Sequence, residues 1–143
     1  MIALDTNLLV YAHRAENPFH SAAVNLVNEL AESKAAWAIP WPCLHEFYGV
    51  ITNPRIHHVP TPVDVALKQI DAWFESPTLH LLAEIPAHWP TLRELIAKAK
   101  LQGAMVHDAR IAALCLAHGV RELWSADRDF SRFPSLRVRN PLM

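Results

Sequence analysis

Short apolar runs alternate along the chain with longer stretches in which apolar residues return every three or four positions. Ile2–Leu4 predicts a short buried strand, and a helical pattern follows from about Asn7 to Arg14. Pro18 opens a second helix, where Ala22, Ala23, Leu26, Val27 and Leu30 recur at helical spacing. Trp37–Ile39 predicts a strand before Pro40. Pro42 suits the first turn of a helix carrying Leu44, Phe47, Tyr48 and Ile51. That helix should end near Asn53-Pro54, since a residue preceding proline is pushed out of helical geometry. "RIHHVPTP" reads as a connector. Pro62 then opens a helix with Val65, Ala66, Ile70, Trp73 and Phe74, stopped by Pro77. Leu79–Ile85 predicts a strand, and His88 to about Gln102 an amphipathic helix with Gly103 as its stop. Asp108–His118 predicts a short apolar helix ended by Gly119, Glu122–Ser125 a strand, and Leu136–Arg139 a last edge strand.

Strands that alternate with helices, without hairpin turns between them, predict an α/β fold: a mostly parallel sheet flanked by helices. No repeat, low-complexity tract or linker divides the chain, so residues 1–143 are expected to form a single domain. Open sheets of this kind bind ligands outside the carboxyl ends of their strands. Asp5 follows the first strand there, and Asp127 follows "ELWSA".

Composition narrows the class. Hydrophobic residues make up 52% and charged residues 19%, which excludes a disordered chain. Charges or prolines interrupt every apolar stretch before the ~18 residues a membrane span needs. The start lacks the basic segment of a signal peptide. Cys43 and Cys115 fall within helix-like apolar patterns and make no disulfide framework, so a cytoplasmic protein with reduced thiols is expected. The net charge of −1 gives no general reason to expect nucleic acid. Between Arg121 and Arg139, however, five arginines (121, 128, 132, 137, 139) outnumber Glu122, Asp127 and Asp129, a bias that a solvated face alone would explain. The nine histidines include no HExxH, and His57 and His58 are adjacent, so their side chains diverge; a histidine-based zinc site is not expected.

The acids carry the candidate chemistry. Asp5 can cap the helix that follows it, and Asp108 the helix "ARIAALCLAHG". If that helix begins a turn earlier, Asp108 instead shares the inward face of Ile111, Ala112 and Cys115. Glu46 lies inside its helix on the margin of the apolar face, where capping cannot explain it and a salt bridge could. Asp127 can form an Asx turn. Asp129, beside the apolar Phe130, reads as a surface residue on a turn leading away, capping "FSRF" or pairing with Arg132. Taken together, Asp5, Glu46, Asp108 and Asp127 converge without Lys or Arg beside them, and their mutual repulsion calls for a hard divalent cation with oxygen ligands.

Four stretches, "LDTNLLVYA", "PCLHEFYGVITNPR", "MVHDARIAALCLAHGV" and "LWSADRDFSRFPSLRVRNPL", resemble PIN-domain ribonucleases, and among them the VapC group of toxin–antitoxin toxins. The resemblance covers almost the whole chain, with the blocks in the family's order. It implies a PIN-like three-layer sandwich and a metal-dependent RNA endonuclease using Mg²⁺, with Mn²⁺ able to substitute. The family's four acids fall on Asp5, Glu46, Asp108 and Asp127, as catalytic residues and metal ligands. Asn7 matches its Asn behind the first acid, and Ser125 keeps the hydroxyl of its usual Thr. The resemblance also implies an antitoxin whose C-terminal segment covers the active site, a homodimer, and no membrane association. Leu67–Phe74 and Val24–Leu30 are the apolar helices that could supply a dimer contact. Arg128, Arg132, Arg14 and Arg110 are the candidates for holding RNA phosphates. Ala104 and His107 depart from the family's usual Asn and Thr. A haloacid-dehalogenase-like phosphatase would need an acid at position 7, where Asn7 stands. A degenerate PIN fold acting only as a binding module would be expected to have lost acids.

Overall fold

The computed structural model describes residues 1–143, with strands β1 (Ile2–Leu4), β2 (Trp37–Pro40), β3 (Leu79–Leu82), β4 (Glu122–Trp124) and β5 (Val138–Arg139). The helices are α1 (Thr6–His13), α2 (His20–Glu32), α3 (Trp41–Ile51), α4 (Val63–Phe74), α5 (His88–Ala99) and α6 (Val106–Ala117). The five strands form one sheet in the order β3-β2-β1-β4-β5, and every pairing is parallel. The predicted architecture is therefore observed. The central strands read as unbroken apolar runs because helices cover both faces; all of β2 is buried. Trp37 is fully buried, and its indole N–H donates to Ser76 Oγ at 3.0 Å, which removes the penalty of burying that donor. A contiguous core of 28 buried residues runs from Ala3 to Leu136. No helix is long and apolar enough to cross a membrane.

The boundaries differ from the sequence reading where pairing or caps decide them. β3 stops at Leu82 instead of Ile85, because its last ladder partner is Pro40, after which the neighbouring chain turns into α3. α5 ends at Ala99, three residues short of Gln102; Lys100 closes it in the left-handed conformation (φ 51°), and Gly103, the expected stop, is also left-handed (φ 61°) but opens the turn that follows. α6 begins at Val106 instead of Asp108, continuing from a short 3₁₀ turn over Gly103–Met105. That earlier start matters for the site. Asp108 now lies inside the first turn of α6, so it is not a cap.

β1 and β4 are adjacent in the sheet centre, and Asp5 N–H donates to the Trp124 carbonyl at 3.0 Å. The carboxyl ends of both strands thus open at one point, toward the first turns of α1 and α6 and the middle of α3.

Candidate active site

The site is built outward from Asp5. Its backbone is extended (φ −81°, ψ 162°), and Oδ1 accepts the Thr6 N–H at 2.8 Å, so the side chain does cap α1. Capping uses only part of the carboxylate. Oδ2 accepts the Ser125 hydroxyl at 2.6 Å and the Asn7 amide at 3.4 Å, while the buried Cys43 thiol donates to Oδ1 at 3.5 Å. Asn7 also donates to Ser125 Oγ at 3.3 Å and accepts from the Ala126 N–H at 3.2 Å. Ser125 Oγ in turn accepts the Asp127 N–H at 3.0 Å. Asn7 and Ser125 therefore tie the end of β1 to the segment after β4 and fix the rotamer of Asp5. Cys43 is a contact that sequence reasoning missed.

Asp5 is 5% exposed. Burial pushes its carboxyl above the ordinary value; hydrogen bonds from Ser125, Thr6 and Cys43 pull it back down, and the charge of Asp127 raises it further. The other three acids meet Asp5 around one cavity of about 230 Å³, lined by Asp5, Glu46, Asp108 and Asp127 together with Asn7 and Tyr11. No Lys or Arg lines it. Although Glu46 is exposed as a residue, its carboxyl end is partly withdrawn from water. That withdrawal, then Asp5 and Asp108, hold it above its ordinary value, and nearby His107 acts in the opposite direction. Asp108 is likewise raised by partial burial and then by Asp127, Asp5 and Asp129, with Arg132 opposing. Three acids raised first by burial and then by neighbouring carboxylates mark a cluster in which negative charge outweighs the opposing His107 and Arg132.

Asp127 has a local structural role as well. Its Oδ1 accepts the Asp129 N–H at 2.8 Å and caps a short 3₁₀ turn over Arg128–Arg132, which is the Asx turn the sequence allowed. The turn corrects one expectation. Phe130 is buried, as expected of an anchor, but Asp129 does not lead away. Its carboxylate comes back so that ligand atoms of Asp108, Asp127 and Asp129 all lie within 4.8 Å of one another. Unscreened by a cation, each such pair repels by on the order of 1–3 kcal/mol, depending on how much water intervenes. The donor set consists of carboxylate oxygens, with no thiolate or imidazole inside the cavity, which fits a hard divalent cation of the Mg²⁺ or Mn²⁺ kind.

The arginines separate into two groups. Arg14 is largely buried, and its guanidinium is engaged within the chain by Glu16 at 2.6 Å, Thr61 Oγ1 at 3.1 Å and the Val59 carbonyl at 2.8 Å. Arg110 pairs with Glu84 at 3.0 Å, and Arg137 and Arg139 lie beside Glu122. Arg128 and Arg132 are exposed, lie at the two ends of the turn that Asp127 caps, and form no ion pair.

The family model of the PIN domain matches residues 2–136. Ribonuclease VapC48 of Mycobacterium tuberculosis is 31% identical over 96% of this chain and 94% of its own length. Ribonuclease VapC43 of the same organism is 36% identical over 99% of this chain and 96% of its own. Among solved structures, VapBC2 of Rickettsia felis, crystallised on a DNA fragment from its promoter, superposes with a TM-score of 0.71 at 22% identity, covering 97% of this chain and 98% of that one.

Proposed function

The chain belongs to the PIN-domain family, and from that membership we infer that it is a VapC-type endoribonuclease, the toxin of a type II toxin–antitoxin pair. The observation that carries the reading is the cavity in which Asp5, Glu46, Asp108 and Asp127 meet without a basic partner. In this proposal the four carboxylates are the catalytic residues and hold Mg²⁺, with Mn²⁺ able to substitute. When bound, such a cation makes a water more acidic and stabilises the charge that develops on a scissile phosphate. The chain's own residues supply the geometry. Ser125 and Asn7 hold the Asp5 carboxylate in one rotamer, so little reorganisation is needed on loading. Arg128 and Arg132, exposed beside the cavity, bind flanking phosphates of the RNA. Arg14 and Arg110, with their donors engaged elsewhere, contribute less.

Relatives and neighbours named as VapC ribonucleases and VapBC complexes support an antitoxin partner. Its C-terminal segment is proposed to cover the acid cavity, where an Arg or Lys would pair with the unbalanced carboxylates. A homodimer is proposed through α4. Val63, Leu67 and Phe74 are 58%, 50% and 42% exposed, whereas the large apolar side chains of the Val24–Leu30 stretch of α2 are buried or half-buried. The protein is proposed to act in the cytoplasm, where both free cysteines remain reduced. The alternative phosphatase chemistry has no acid at position 7, since Asn7 serves there as a hydrogen-bond link.

The test is cleavage of a cellular RNA pool by the purified protein with Mg²⁺, with Mn²⁺ and with EDTA, and by Asp5→Asn under the same conditions. Cleavage requiring both metal and Asp5 supports the reading. A folded wild-type protein inert toward RNA with either ion would mean that the fold acts as a binding module.

A further inference from the structure

The acid cavity, about 230 Å³, opens to solvent between α1, α3 and α6. A nucleoside attached to a phosphate held among the acids meets the walls of that opening, and the part-buried face of α1 is one of them. Leu8 and Leu9 are fully buried toward the core. The opposite face carries Asn7, Val10 and Tyr11, all only part-buried and all lining the cavity, with Asn7 and Tyr11 one helical turn apart. Tyr11 thus places an aromatic side chain in the cavity wall, about 9 Å along the helix from Asp5 at 1.5 Å per residue.

Tyr11 is not alone. Its ring packs against Phe19 with centroids 5.6 Å apart and the planes tilted by 38°. Phe19 is 46% exposed, so the aromatic surface of the pair extends into water beside the cavity. The loop that carries it is held in place: Phe19 N–H donates to Asn17 Oδ1 at 2.8 Å, and the His20 ring bonds the Tyr11 carbonyl at 2.9 Å. The pair is therefore arranged before any ligand arrives, which lowers the entropy lost on binding.

We propose that Tyr11, backed by Phe19, is a stacking platform for an unpaired base next to the scissile phosphate. The substrate strand at the cut is then single-stranded or looped RNA, because a base held in a duplex cannot present its face to a side chain. The proposal rests on the endonuclease reading and deepens it.

Four proteins test it: wild type, Tyr11→Phe, which keeps the aromatic face, and Tyr11→Leu and Phe19→Leu, which keep apolar bulk and so protect the fold. Binding is measured with an unstructured RNA of adenosines and cytidines carrying 2-aminopurine, and with the same strand annealed to its complement, each variant placed in an Asp5→Asn background that blocks cutting. Tyr11→Leu should weaken single-strand binding about tenfold and abolish the 2-aminopurine quenching, while Tyr11→Phe keeps both. Phe19→Leu should fall between, and duplex binding, weak throughout, should change less than twofold. In the cleaving background, Tyr11→Leu should raise KM and leave kcat nearly unchanged. Unchanged quenching and KM in Tyr11→Leu, with the wild type cutting RNA, overturns the platform alone. Failure of the wild type to cut any RNA overturns the endonuclease reading instead. A loss confined to melting temperature makes Tyr11 a packing residue and also overturns the platform.

Discussion

Both ends of α1 carry dense polar groups, but they are assembled on opposite principles. At the C-terminal end, Arg14 bonds Glu16, Thr61 and the Val59 carbonyl, and the His13 ring bridges Gln69 Oε1 at 3.0 Å and Thr61 Oγ1 at 3.1 Å. Charges there are balanced, and the connector over residues 55–62 is fastened to the helix. At the N-terminal end, four acids face one another with no basic residue among them. Concavity does not distinguish the two. The balanced end borders the larger hollow, about 730 Å³, and the unbalanced end the smaller, about 230 Å³. The useful signal is electrostatic: a buried group with its partners present holds the fold together, whereas like charges gathered without partners imply a ligand that supplies the missing sign.

The strongest way to break this comparison is to alter each end in turn. Asp5→Asn keeps an acceptor for the Thr6 N–H, so the helix cap survives. It removes a charge whose contribution to catalysis through a cation is several kcal/mol, so the cleavage rate should fall by roughly a thousandfold or more. The melting temperature of the metal-free protein should hold or rise, because repulsion is relieved. Wild-type rates in folded Asp5→Asn would show that the acid end is not the working end.

Arg14→Ala should do the reverse. Removing the guanidinium leaves Glu16 and the Val59 carbonyl without their donor, while Thr61 Oγ1 keeps the His13 ring; with those acceptors in reach of water the loss should be about 1 kcal/mol, or a few degrees in melting temperature. RNA cleavage at a temperature where both proteins are folded should stay within about twofold of wild type, since the donors lost were engaged inside the chain. A large drop in RNA affinity without loss of stability would return Arg14 to the RNA-binding surface.

How far the sequence revealed this contrast depends on range. Asp5 was legible because strand, cap and acid are contiguous, and Glu46 because its helix had already begun when it appeared. The parallel sheet was legible from apolar runs separated by helical periods. Arg14 was not, because its partners at Val59 and Thr61 lie more than forty residues away and only the closed fold joins them. Tyr11 read as one more apolar position on α1, with nothing local to show that its face borders the acids. Asp129 was misread because its direction is set by a side chain, the Asp127 carboxylate capping the next turn, and not by backbone periodicity.

A subtler difference between the two ends is their response to pH. Asp5, Glu46 and Asp108 keep protons in the folded, metal-free chain at pH values where the unfolded chain has released them. The folded state binds more protons, so stability should fall as pH rises from the ordinary carboxylate range through their raised values. The lowered carboxylates of Glu16, Glu84 and Glu94 act in the opposite sense, but their ion pairs are exposed and contribute little. Saturating Mg²⁺ should oppose the decline, because the cation binds the ionised forms. Melting temperatures across mildly acidic to neutral pH, with EDTA and with Mg²⁺, measure the difference. Arg14→Ala should keep the Mg²⁺-dependent component, and Asp5→Asn should flatten it.

The smallest expected effect distinguishes the two acids at the edge of the cluster. Asp127 lines the cavity, and its backbone N–H bonds Ser125, so its position is tied to the network that holds Asp5. Asp129 is exposed and does not line the cavity, yet its carboxylate lies within 4.8 Å of those of Asp108 and Asp127. A surface Asp129 that only capped a turn or paired with Arg132 would, on replacement by Asn, mainly cost stability. The turn changes that expectation. Asp129 adds negative potential at the cluster's rim, where water screens it, so its loss should raise the Mg²⁺ concentration for half-maximal cleavage by only about two- to threefold. Asp127→Asn removes a carboxylate from the cavity itself and should raise it by about tenfold or more, while its side-chain carbonyl still accepts the Asp129 N–H and preserves the turn. Salt separates the two mechanisms. Added KCl should erase the Asp129 effect, which acts through a screened field, and leave most of the Asp127 effect, which acts through contact. Mg²⁺ titrations of cleavage rate for both variants at low and high KCl read this directly. If Asp129→Asn produces the larger, salt-resistant shift, the fourth acid of the working end is Asp129, and Asp127 serves chiefly as the cap that aims it.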